Sequence, residues 1–202
     1  MRVTLISGSH RQQSQSARVA VYLAARLSAL EAGTTTDIID LVGNPLPLWD
    51  ESAWQPDSGL TKQWAPYGER LAAAEGLVVV APEWHGMVPS GLKNFLLFAS
   101  GREVGHKPAL IVGVSSSRGG AYPVNELRTS GYKNNRLCFI PEHLIVRDAE
   151  TMFVGDAPSG KDDAYLRGRA DFALRGLLAY AQALKAMRDS HVLFDKQYPY
   201  GM

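Results

Sequence analysis

Cysteine is nearly absent: Cys138 is the single one in 202 residues. No disulfide can form within the chain, and a reducing, cytoplasmic setting is the expectation. Long apolar runs are missing too. The first, VTLI (3–6), stops at Ser7-Gly8-Ser9, so neither a secretory leader nor a membrane span is expected. Charge of either sign is scarce in excess. A net charge of +1 argues against a nucleic-acid footprint and against the acidic surface of a carrier that docks on basic partners. His10, His85, His106, His143 and His191 are scattered with no HExxH or paired spacing, so no metal site is expected. No nucleophile elbow is present. The dinucleotide fingerprint GxGxxG fails because no glycine follows Gly8 until Gly33, and GxxxxGK[ST] is absent as well. The last absence is local. No Asp or Glu precedes Glu31, although Arg2, Arg11, Arg18 and Arg26 do.

What is present is alternation in a composition that is 46% hydrophobic and 20% charged, ordinary for a globular protein able to bury a core. Short apolar runs at 3–6, 37–41, 77–81, 109–114 and 137–146 predict strands. Helical spacing appears at 16–33, where Val19, Leu23, Leu27 and Leu30 share a face, and at 90–100, 121–133 and 162–189. Asp162 and Asp163 suit the dipole at the start of the last of these. Apolar strands alternating with helices imply a parallel sheet covered on both faces. The expectation is an α/β, flavodoxin-like three-layer sandwich with five strands in the order 2-1-3-4-5. Residues 1–190 are read as one domain and 191–202 as a docked tail carrying Phe194, Tyr198 and Tyr200.

In such a fold the strand-to-helix loops leave from the carboxyl edge of the sheet, where ligands bind. Three unusual loops follow strands: SGSHRQQSQS (7–16), PEWHGMVPSG (82–91) and SSSRGGAY (115–122). The first offers hydroxyls, backbone N–H groups, a helix start and Arg11, the elements of an anion site. A carboxylate there would repel an anion, which gives the acid-free stretch a reason. An alternative reading is a polar turn that caps a helix through Ser14 or Ser16. Without the glycine spacing of a pyrophosphate loop, a terminal phosphomonoester fits best, and FMN meets that condition. The second loop combines Pro82 and Pro89 with Gly86 and Gly91, and sets Trp84 and His85 where a flat heterocycle could lie. Trp84 packed into the core is the competing reading. The third sets Gly119 and Gly120 for close backbone approach. Its Arg118 is either a partner for a nicotinamide nucleotide phosphate or a solvated arginine.

These motifs resemble those of the NAD(P)H-dependent FMN reductase family, flavodoxin-fold enzymes that include FMN, quinone, azo-dye and chromate reductases. The pattern GSxRxxS stands as GSHRQQS (8–14), and PEYNGSxPGxLKN stands as PEWHGMVPSGLKN (82–94). Trp84, His85, Met87 and Ser90 depart from that second motif, and the changes at 85 and 87 alter side-chain hydrogen bonding near a flavin. A serine run followed by Gly-Gly completes the set, and the likeness extends from Met1 to about residue 180. The resemblance implies FMN held by Ser9, Arg11, Ser14, Gln15 and Ser16, by Pro82, Glu83, Trp84, His85, Gly86 and Met87, and by Ser115, Ser116, Ser117, Gly119 and Gly120. It implies NADPH or NADH as co-substrate, with Arg118 as its candidate contact. Hydride would pass by a ping-pong route through the flavin to a small acceptor: a flavin, quinone, azo compound or metal oxyanion. No side chain is nominated as a catalytic acid or base, since the flavin carries the chemistry. A homodimer or dimer of dimers is expected, with no nucleic-acid or membrane partner. The alternatives are a non-enzymatic flavodoxin-type electron carrier and a flavin-free binding module.

Overall fold

The computed structural model describes residues 1–194, 197 and 198. Five parallel strands lie in the order β2-β1-β3-β4-β5: β1 Arg2–Ser7, β2 Thr35–Asp40, β3 Gly76–Pro82, β4 Pro108–Val114 and β5 Cys138–Val146. The helices are α1 Gln15–Leu30, α2 Gly59–Ala72, α3 Ser90–Phe98, the short α4 Gly101–Val104, α5 Ala121–Thr129 and α6 Lys161–Asp189. β3 and β4 are buried along their whole length, as their unbroken apolar runs require. Alternation assigns the two faces. Val78 and Val80 join α1 and α6 in one core with Val19, Leu23, Leu174 and Leu177. Leu77 and Val79 join α2, α3 and α5 in the other with Leu71, Phe95 and Val124. The predicted sandwich and strand order are therefore correct.

Boundaries moved where glycine and proline intervene. α1 ends at Leu30, and Gly33, at a φ of 86°, turns the chain toward β2. β5 shifts register between its pairings with Ala109 and Ile111, next to Pro141, which has no N–H for the ladder. Arg128 donates to the carbonyls of Ile140 and Pro141 at 2.8 Å there, satisfying groups the bulge leaves free. Cys138 is half-buried. The described part of the tail lies near the amino ends of β4 and β5. Phe194 sets its ring edge-on to His106, with centroids 5.6 Å apart, and Arg136 donates to the carbonyls of Leu193 and Tyr198. Tyr200 lies outside the described residues.

Just before β4, Lys107 is 7% exposed, and its Nζ donates to the Leu71 and Ala72 carbonyls at 2.7 Å each. It thereby ties the end of α2, whose last carbonyls lack helical partners, to the sheet. Burial, then repulsion from Arg188, brings its pKa down to about 8. An unfolded lysine titrates near ~10.4, so between the two values the unfolded chain holds the extra proton and stability rises with pH. Urea unfolding at about pH 7.5 and about pH 10 should show the wild-type protein gaining relative to Lys107→Met. A difference that stays flat with pH would contradict this assignment.

Candidate functional site

The carboxyl ends of β1, β3 and β4 form the rim on which the loops collect. The backbone N–H of Gly8 donates to the Val80 carbonyl at 2.8 Å, fastening the first loop to β3. A Cβ on Gly8 would stand 2.6 Å from Leu92 Cδ2 and 2.9 Å from the Val80 oxygen, so only glycine lets the chain leave β1 this way. Ser14 caps α1, its hydroxyl accepting from the Ala17 N–H at 3.1 Å; the capping reading holds for Ser14. Ser9 is buried and accepts from the Arg11 N–H at 3.3 Å. Gln15 accepts from Arg18 Nε at 2.8 Å. Ser16 differs: it is 1% exposed, and its hydroxyl, like that of Ser7 and like His10 Nδ1, has no hydrogen-bond partner among the described residues. Buried polar groups are ordinarily satisfied, so these three mark unmet demand beside the first turn of α1.

The early arginines have separate destinations. Arg2 pairs with Asp37 at 3.5 Å, and Arg26 pairs with Asp171 at 2.7 Å. Arg18 gives its guanidinium to the carbonyls of Ala149, Met152 and Phe153 beyond β5. Arg11 is exposed, and its guanidinium has no partner among the described residues. Of the four it alone is free to meet a ligand.

The second loop is a tight hairpin. Trp84 and Met87 exchange backbone hydrogen bonds at 3.1 and 2.9 Å, with His85 and Gly86 between them at φ of 50° and 72°. Two positive φ values define a type I′ turn, for which Asn-Gly is the favoured pair. The departure at residue 85 thus falls on a turn position. The exposed histidine keeps the backbone path at some cost in strain. His85→Asn should relieve that strain and stabilise the protein by about 0.5–1 kcal/mol, an increment of the size known for matching a residue to its backbone conformation. A thermal melt checks it; a lower midpoint would contradict the turn assignment. Trp84 is half-buried and packs its ring edge-on against His10 at 4.4 Å, joining this loop to the first.

Two carboxylates bind the second loop to α5. Glu83 accepts from the N–H groups of Gly120 at 2.6 Å and Tyr122 at 3.3 Å, capping α5. Glu126, on α5, accepts from the Val88 N–H at 2.6 Å and from Lys93 Nζ at 2.8 Å. Glu83 is therefore occupied as a brace between loops. Glu126 escapes sequence reading because its partners lie more than thirty residues away. Asn94 is a further brace, fixing the 44–50 segment through the Trp49 N–H and the Pro47 carbonyl at 2.8 Å each. In the third loop the Ser115 and Ser117 carbonyls accept from the Ala149 and Asp148 N–H groups, and Arg147 Nε donates to the Arg118 carbonyl at 2.7 Å. Ser116 and Arg118 are exposed. Gly119 and Gly120 stand where side chains would strike Glu83 and Ile145.

The model of the NADPH-dependent FMN reductase family matches residues 1–151, which include all three loops. The chain belongs to that family. It is an FMN-dependent oxidoreductase. The NADPH azoreductase of Bacillus sp. (strain OY1-2) is 27% identical to it over 165 residues, 80% of this chain and 84% of that protein. The 2-hydroxy-1,4-benzoquinone reductase of Burkholderia sp. is 31% identical over 154 residues, 73% of this chain and 80% of that protein. A solved oxidoreductase from Corynebacterium diphtheriae shares the fold, with a TM-score of 0.69 at 17% identity over 90% of this chain and 97% of that one.

The residues of the first loop suit a phosphomonoester. Among the described residues the buried Ser16 hydroxyl has no hydrogen-bond partner, and the start of α1 adds backbone donors and a positive dipole end. Arg11 stands free beside them. The 84–87 turn and the third loop, tied together through Glu83, border the same rim.

Proposed function

We propose that this FMN reductase moves hydride from NADPH or NADH to a small acceptor in a ping-pong sequence, the oxidised nucleotide leaving before the acceptor enters. The observation that carries the reading is the unfilled donor set of the first loop, with Ser16 and Arg11 at its centre, joined through His10 and Trp84 to the turn at 84–87. Ser9, Arg11, Ser14, Gln15 and Ser16 would take the FMN phosphate. Residues 82–87 would lie along the ring, and Ser115, Ser116, Ser117, Gly119 and Gly120 along its edge. Bound FMN supplies reversible hydride acceptance and release. The chain holds the reactants in position and excludes wrong geometries. Arg118 would take a nucleotide phosphate by a charge-assisted contact.

An azoreductase and a quinone reductase among the relatives support azo compounds and quinones as acceptors, with free flavins and metal oxyanions as the other members of the class. Residues 1–190 acting as one domain, pairing of copies into a homodimer or dimer of dimers, and a cytoplasmic workplace belong to the same proposal. Among the described residues no helix is long and apolar enough to cross a membrane. The test is anaerobic. The purified protein incubated with FMN should retain a flavin spectrum that bleaches on adding NADPH or NADH and returns with benzoquinone. Initial rates against both substrates should give parallel double-reciprocal lines. Intersecting lines would overturn the ping-pong order. Protein that takes up no flavin would favour a flavin-free module, and flavin that NAD(P)H fails to reduce would favour an electron carrier.

A further inference from the structure

A cavity of about 1130 Å³ opens at the edge of the sheet opposite the rim, among the end of α2, the outer side of α3, α4 and the segments that enter β4 and β5. It is slightly larger than typical small-molecule sites, which run to about 1,000 Å³. Five cationic side chains line it: Arg102, Lys107, Lys133, Arg136 and Arg188. Among the described residues no carboxylate lines it and none of the five forms an ion pair. The nearest acids are committed elsewhere. Glu75 holds Lys185 at 3.2 Å, and Glu103 closes a capping box with Ser100.

The positive charge runs from the buried Lys107, through the half-buried Arg136 and Arg188, to the exposed Arg102 and Lys133. Lys107 is 7% exposed. Burial first, and then Arg136 and Arg188, hold the His106 imidazole below its ordinary range. His106 Nε2 is buried with no hydrogen-bond partner among the described residues. Lys107 and Arg136 each give two bonds to backbone carbonyls, whereas Arg188 gives one, to the His106 carbonyl at 3.1 Å, and the Arg102 and Lys133 side chains are exposed, so donors remain to be used. The rest of the wall mixes the polar Ser100, Asn134 and Asn135 with apolar and aromatic surface. Trp49 and Trp54 meet edge-on at 5.1 Å, and Tyr132, Phe194, Leu96 and Leu97 continue the surface.

Cations without counterions beside aromatic walls suit one ligand class, a flat ring system bearing a negative group. We infer that this cavity binds an aromatic carboxylate or sulfonate, at a site separate from the flavin rim and independent of the reading given to that rim.

The test uses 2-naphthalenesulfonate as probe, with the full chain saturated with FMN and again without it, by isothermal titration calorimetry. The sulfonate should bind at one site per chain with equal affinity in both states. Uncharged 2-naphthol and inorganic sulfate should each bind at least about tenfold more weakly, because each lacks half of the recognition. Arg188→Gln should weaken sulfonate binding about tenfold, the size of a lost charge-assisted hydrogen bond. The double change Arg102→Gln and Lys133→Gln removes two exposed, unpartnered cations with little risk to folding and should have a similar effect, leaving FMN affinity unchanged. Absence of binding to the wild-type protein, equal binding by the variants, or competition between the sulfonate and FMN or NADPH would each overturn the inference. So would a dimeric protein that binds sulfonate only after Leu97→Glu makes it monomeric, since the cavity would then be an interface between copies.

Discussion

Arg11→Ala is expected to lower FMN affinity by about tenfold to about a hundredfold, the range set by one or two charge-assisted hydrogen bonds worth about 1.5–3 kcal/mol. The magnitude follows from what the guanidinium lacks. It is exposed and has no hydrogen-bond or ion-pair partner among the described residues, so its whole donor fork is available to phosphate. For the same reason the apoprotein should melt at an unchanged temperature, which separates lost binding from lost folding. Arg11→Lys should fall between wild type and alanine, keeping the charge and losing the planar fork. Fluorescence titration of FMN onto the apoproteins measures all three. Equal affinities would remove Arg11 from the cradle and leave the buried Ser16 hydroxyl and the α1 N-terminus to hold the ligand.

Gly113→Ala is expected to cost stability and cofactor together. Gly113 lies in β4, and a Cβ there would strike the Gly120 carbonyl oxygen and press within 3.3 Å of Val124 Cγ2. Backbone cannot retreat as a flexible side chain can. Gly120 is itself held at a φ of 100°, and a Cβ on it would lie 2.7 Å from Ile145 Cγ2. The two glycines together allow the third loop to fold back onto the strand. Overpacking of this kind costs about 1–3 kcal/mol and occasionally more, a fall of several degrees in midpoint for a chain of this length. FMN affinity should drop as the 115–120 segment is displaced. Gly168→Ala is the contrast. It lies in α6 with open space where a Cβ would go, and should stabilise by up to about 1 kcal/mol. Urea unfolding of both variants reads the difference, and a harmless Gly113→Ala would refute the packing argument.

The sheet was legible because its central strands are unbroken apolar runs bounded by glycine and proline. α2 was not. Its buried residues Leu60, Trp64 and Leu71 keep helical spacing, but Pro66 and Gly68 inside the segment signal a break. The helix tolerates them because Pro66 faces solvent and Trp64 lies against Gly68. Each loop of the site could be read from composition, since hydroxyls, prolines and paired glycines act locally. What joins the loops could not. His10 meets Trp84, and Glu83 meets Gly120, only after the sheet has formed. The shortage of acid in the first thirty residues proved partly architectural as well, since Arg2, Arg18 and Arg26 find partners far along the chain.

The two carboxylates that cross between the 82–88 segment and α5 run in opposite directions, each gripping the other's backbone. Such a clasp has no free half. A push on the 82–88 segment is therefore passed to α5, and one on α5 to that segment, through hydrogen bonds that would have to break together for either to move alone.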